Sequence, residues 1–135
     1  MKTTRIDRVT AVTRDAEGAA QTFQRIFGLR PAGSAAPGGA AGAGADVDDV
    51  RVLAIGGAEI AFVRPAADTE LAEALAMTGD GMAALHLEVA DVDEAIRGLE
   101  RAGIAFGVVT RDGRRVIHVE PIAVHGVRLS LVGPA

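Results

Sequence analysis

The chain carries the same stretch of pattern twice, and an internal repeat constrains architecture more than any other sequence feature. Gly57-Ala58-Glu59-Ile60-Ala61-Phe62-Val63-Arg64-Pro65 reads against Gly126-Val127-Arg128-Leu129-Ser130-Leu131-Val132-Gly133-Pro134. Arg8-Val9-Thr10-Ala11-Val12-Thr13-Arg14-Asp15 reads against Ala84-Leu85-His86-Leu87-Glu88-Val89-Ala90-Asp91. Each of the latter is an alternating strand that ends in an aspartate and runs into a helical pattern. The repeat unit is therefore β-α-β-β-β, present in two copies. Module one is expected over 4–66, a linking helix over 67–80 and module two over 81–134, all within one domain, 1–135.

Local signals fill in each copy. Asp15 is placed to cap a helix bearing Ala19, Ala20, Phe23, Ile26 and Phe27, which Gly28 ends. Residues 32–45 form a Gly/Ala/Ser/Pro loop. Val50–Ile55 and Glu59–Val63 are strands about a Gly56-Gly57 turn, and Pro65 ends the second. Asp68 to Met77 reads as the linking helix. In module two, Ala83–Val89 is a strand. Asp91 caps a helix with Val92, Ala95, Ile96, Leu99 and Ala102, closed by Gly103. Strands follow near Phe106–Val109, Arg115–Glu120 and Val127–Val132, with Asp112-Gly113 turning between the first two. Asp46, Asp48 and Asp49 read as a solvated turn, and His125 as a loop residue.

Composition narrows the function classes. Apolar residues are 49% of 135, enough for a packed core without staples. Cysteine is absent, which excludes disulfides, thiolate ligands and cysteine nucleophiles and fits a cytoplasmic protein. Net charge is −4 with no basic cluster, so nucleic acid is not an expected partner. No apolar run nears the about 18 residues of a membrane span, and the first residues show no leader pattern. With four Phe and neither Trp nor Tyr, any pocket is mainly aliphatic and polar.

Strand alternation sorts the remaining side chains. One face of each sheet must meet the helix: Val9, Ala11, Ile60, Phe62, Leu85, Leu87, Val89, Ile117, Val119, Leu129 and Leu131. The other face, expected to line a concavity, takes Arg8, Thr10, Val12, Glu59, Ala61, Val63, Ala84, His86, Glu88, His118, Glu120, Arg128 and Ser130. His86, Glu88, His118 and Glu120 are the titratable set suited to moving a proton beside a carbonyl. Arg8, Thr10, Ala61, Ala84, Arg128 and Ser130 are the candidate substrate contacts. The bland alternative is a solvated polar lining knitted by ion pairs, with Arg8 neutralising Glu59, Glu88 or Glu120.

The ordered set resembles the vicinal oxygen chelate superfamily, which includes glyoxalase I, bleomycin-resistance proteins, extradiol dioxygenases and methylmalonyl-CoA epimerase. Ile6-Asp7-Arg8-Val9 with Thr13-Arg14-Asp15 is similar to the opening "IDHV…V.D". Phe27-Gly28-Leu29 is similar to "LGL", and Ile60–Pro65 to "IELLEP". Gly81–Val89 resembles "GLHHIAFEV", and Val116–Pro121 with Gly126–Val132 resembles "VIFLHP…GGVLVELVE". The resemblance implies an α+β fold of two βαβββ modules whose curved mixed sheets form a cup; sheet edges of this kind commonly need covering, so a homodimer is expected. It also implies a divalent metal on four positions that here hold Arg8, Ala61, Ala84 and Ser130. A guanidinium and two alanines offer no ligand atom. The expectation is therefore no metal, no cofactor and a small-molecule partner. The first function expected is a cofactor-independent isomerase, epimerase or lyase acting on a small carbonyl, acyl-thioester or polyketide-like metabolite. The alternative is a non-catalytic binding protein for sequestration or resistance.

Overall fold

The computed structural model describes residues 1–32, 47–111, 113–124 and 127–134. Its strands are β1 (Thr3–Val12), β2 (Arg30–Pro31), β3 (Val47–Ile55), β4 (Ala58–Pro65), β5 (Gly81–Val89), β6 (Phe106–Arg111), β7 (Arg114–Val119) and β8 (Leu129–Val132). Its helices are α1 (Ala16–Phe27), α2 (Glu70–Thr78) and α3 (Val92–Ala102), with a 3-10 turn at Pro121–Val124. The loop expected over 32–45 lies almost wholly outside the described residues, as do Asp46, Asp112 and His125. Asp48 and Asp49, expected in a turn, belong to β3, where Asp49 pairs with Arg51.

Two compact units divide the chain: Arg8–Ala83, and Met1–Asp7 together with Ala84–Ala135. In Arg8–Ala83, β4 runs parallel to β1 and antiparallel to β3, which pairs antiparallel with β2. In the other unit, β8 runs parallel to β5 and antiparallel to β7, which pairs antiparallel with β6. All eight strands belong to one sheet, and within each unit the strands are mixed and follow the same topology. The register repeats as well. Thr10, Ala61 and Val52 sit side by side in the first copy, as His86, Ser130 and His118 do in the second.

The helices form where local chemistry dictates. Asp15 Oδ1 accepts the Gly18 N–H at 2.9 Å, and Gly28, at φ 70°, closes α1 by donating to Gln24 O. Asp91 Oδ1 accepts from Asp93 and Glu94 N–H groups at 2.9 and 3.2 Å, and Gly103, at φ 72°, closes α3. Both glycines adopt a left-handed conformation that disfavours a side chain. An Asp91→Ala variant is expected to lose about 1 kcal/mol of stability, since two helix N–H groups forfeit their acceptor. A lower urea midpoint at unchanged slope checks this.

α1 and α3 each bury an apolar stripe on the strands of their own unit. Ala16 and Ala20 of α1, with Phe23, pack on Ala11, Leu53 and Phe62. Val92, Ala95 and Leu99 of α3 pack on Val89, Ile117, Val119 and Leu131. Two residues of the expected α1 stripe do not follow: Ile26 and Phe27 are 60% and 63% exposed. Leu29, just past the Gly28 reversal, packs on that cluster instead.

The second face of the first copy also departs from expectation. Ala61 and Val63 do not line an open concavity. They are 0% exposed, in one apolar cluster with Val47, Val50 and Val52, and Leu71 of α2 packs against it. Thr10 and Val12 on that face are likewise buried. The helix expected as a mere linker covers this face. Its cap is Thr69, which accepts the Ala72 N–H at 3.1 Å.

Candidate active site

The matching face of the second copy carries chemistry. His86 on β5, Ser130 on β8 and His118 on β7 are register neighbours. Adjacent strands lie about 4.8 Å apart and paired residues project to one side, so the three form a polar row. It lies on the side opposite the α3 core, because Ile117, Val119 and Leu131 alternate with it. Within it, His86 is 9% and Ser130 6% exposed. His118 Nδ1 and Ser130 Oγ are 3.0 Å apart, a hydrogen bond.

Burial pushes the His118 pKa below its ordinary 6.5, and the nearby Arg111 cation adds to the effect. The imidazole is accordingly neutral at pH 7. Linkage fixes the sign: the unfolded chain binds the proton more readily than the folded one, so this contribution to stability is complete above pH 6.5 and is lost as pH falls below it. Wild type is expected to lose more stability than His118→Gln between pH 7 and pH 5, measured by urea midpoints. Parallel curves would refute the burial of this ring.

The carboxylates are held by other partners. Glu88, on the His86 face of β5, accepts the Thr4 hydroxyl at 2.9 Å and meets Arg5 at 3.4 Å and Arg114 at 3.9 Å. Asp7 meets the same two arginines at 3.1 and 3.8 Å. Arg114 also donates from Nε and Nη2 to Gly133 O at 3.2 and 2.5 Å. Alternating charges thus brace the Met1–Asp7 segment against β5 and β7, with Glu88 inside the lattice. Glu120 lies one residue beyond β7 and is exposed, and its N–H donates to Ala105 O. Arg8 pairs through Nε and Nη2 with its register partner Glu59, one of the three neutralising partners expected for it. Ala84 is half-buried at the start of β5, and half-buried Arg128 accepts the Leu85 N–H through its carbonyl. Sequence reasoning missed Thr4, Arg5, Asp7 and Arg114. Thr4, Arg5 and Arg114 meet Glu88, and Asp7 meets the same two arginines, only through tertiary proximity that no spacing in the chain announces.

The residues at the family's metal positions do not fit a metal. The Arg8 guanidinium is a permanent cation already bound to a carboxylate. Ala61 lies inside an apolar cluster. Ala84 has no donor atom, and the Ser130 hydroxyl is engaged by His118. Among the described residues no group of three or more His, Asp or Glu could hold an ion, and no helix is long and apolar enough to cross a membrane.

This arrangement, two βαβββ copies with one polar row, defines a class. The model of the Glyoxalase/Bleomycin resistance protein/Dioxygenase superfamily matches residues 7–122, and the chain belongs to that superfamily. Among solved structures it is similar to methylmalonyl-CoA epimerase from Mycobacterium tuberculosis, at 22% identity and TM-score 0.79, over 98% of this chain and 89% of that one. A variant of Streptomyces coelicolor methylmalonyl-CoA epimerase in complex with 2-nitronate-propionyl-CoA matches at 20% identity and TM-score 0.82, over 99% and 96%. A hypothetical protein from Bacillus halodurans C-125 matches at 17% identity and TM-score 0.79, over 97% and 94%. At these identities the likeness is one of fold. No curated protein matches the chain.

Proposed function

We propose that this chain is a metal-independent isomerase or epimerase that moves a proton on the carbon next to the carbonyl of a small carbonyl compound or acyl thioester. The carrying observation is the row His86–Ser130–His118, in which His86 and Ser130 are buried and half-buried His118 has its pKa held below the ordinary value. Proton abstraction beside a thioester generates an enolate. A base is needed on the carbon and a hydrogen-bond donor on the oxygen. His86 serves as the base that takes the carbon's proton onto its ring nitrogen and then returns a proton to the enolate carbon, and the polar row supplies the donor to the oxygen. Glu88 sets the charge beside them, Arg128 and Ala84 flank the row, and Glu120 is a reserve acid at the end of β7. The fold is shared with methylmalonyl-CoA epimerases, one of them in complex with methylmalonyl-CoA, which supports a thioester substrate. A cytoplasmic homodimer of single-domain protomers completes the reading.

The rival reading is a binding protein that sequesters its ligand unchanged. The replacement of the expected ligands by Arg8, Ala61, Ala84 and Ser130 favours it. One experiment separates the two. Protein dialysed against chelator is incubated with methylmalonyl-CoA or propionyl-CoA in deuterium oxide, and mass spectrometry reads C2 deuteration. Incorporation at a rate unaffected by chelator is expected. Thioester recovered undeuterated favours sequestration, and activity restored only by a divalent ion refutes metal independence.

A further inference from the structure

We propose that Ser130 is a positioning residue: by donating its hydroxyl to Nδ1 of His118 it holds the imidazole with its proton on Nε2, and that N–H is the donor to the substrate oxygen as the enolate forms. This deepens the isomerase reading above and rests on it.

The direction of the hydrogen bond follows from satisfaction. A neutral imidazole has one N–H and one lone pair, and a hydroxyl has one proton to give. If Ser130 donates to Nδ1, the buried hydroxyl proton and the ring lone pair satisfy each other over the 3.0 Å contact. If Nδ1 donates instead, the buried serine proton needs a second acceptor, and leaving it without one costs about 1–3 kcal/mol. Ser130 is held for the task on both sides. It lies on β8 between His86 of β5 and His118 of β7.

Geometry then assigns the nitrogens. Nδ1 is occupied by Ser130, which leaves Nε2 to meet a ligand. A ring that carries no charge at neutral pH is a poor proton reservoir but a sound hydrogen-bond donor to a developing oxyanion. Burial and the Arg111 cation both oppose formation of an imidazolium, and both leave the neutral donor intact. The two histidines thus divide the labour: His86 takes the proton from carbon, and His118 steadies the oxygen. The first copy lacks this device, because the matching row there is Thr10, Ala61 and Val52.

The test reads tautomer and rate together on the full chain labelled with ¹⁵N-histidine. Long-range ¹H–¹⁵N spectra near pH 7.5 are expected to show His118 protonated on Nε2 in the wild type and a mixture of tautomers in Ser130→Ala. C2 deuteration of the thioester is expected to slow about 10- to 100-fold in Ser130→Ala with KM within about twofold, and Ser130→Thr, which keeps the hydroxyl, is expected to restore most of it. A wild-type proton on Nδ1, an unchanged tautomer in Ser130→Ala, or an undiminished rate in that variant overturns the proposal. Absence of deuteration in the wild type overturns the isomerase reading itself and the donor role with it. The spectra distinguish that failure from a wrong tautomer assignment.

Discussion

Ala61→Glu is expected to destabilise the protein by about 3 kcal/mol or more, although it restores a carboxylate at a position where relatives of this fold are expected to carry a metal ligand. Ala61 is 0% exposed and clusters with Val47, Val50, Val52 and Val63. The larger side chain overpacks that cluster, and its charge is buried without a counter-ion among the residues it meets there. The urea midpoint should fall far enough to see without fitting subtleties. Ala61→Val, apolar and modest in size, should cost far less. An Ala61→Glu protein that keeps the wild-type midpoint and binds a divalent ion would mean that the face is open and that the metal-free reading is mistaken.

His86→Gln is expected to slow C2 deuteration by about 10²- to 10⁴-fold, the usual range for loss of a positioned proton-transfer group. Glutamine retains size and polarity but cannot take the proton. The fold should survive, as near-unchanged far-UV circular dichroism would show. Asp93→Asn is the fitting control. It breaks an exposed pair with Arg115 on the other side of the unit's chemistry, and such pairs contribute little. If His86→Gln and Asp93→Asn give equal rates, His86 is not the base.

Much of the scaffold was legible because its determinants are local. Asp15, Gly28, Asp91 and Gly103 mark helix ends by short-range chemistry, and they stand where alternation and helical period place them. Period-two alternation sorted Phe62 from Ala61 and Ile117 from His118 correctly, because a strand has only two faces. What alternation cannot tell is whether a face is covered. It put Ala61 and His118 on the same kind of face, yet Leu71 packs against the cluster that holds Ala61. Ile26 and Phe27 fit a helical stripe, but α1 stops there and Leu29 takes the packing role. Glu88 looked like a base in its own strand. Its environment depends on Thr4, Arg5 and Arg114, which no local pattern connects to it. The Ser130–His118 bond needed strand register, which becomes visible only when β7 and β8 are paired.

The division of β1 has a consequence for the order of folding. Arg8–Ala83 is contiguous, so all its contacts lie within one stretch of chain and can form while a nascent chain is still emerging. The other unit joins Met1–Asp7 to Ala84–Ala135, segments separated by the whole of the first unit. Thr4 meets Glu88 across 84 positions, and Ala90 donates to Lys2. Met1–Asp7, synthesised before β5 and α3, must therefore wait until they exist. The slow step of folding should be the capture of Met1–Asp7 by its distant partners, and with it the charge lattice that holds Glu88 beside the polar row.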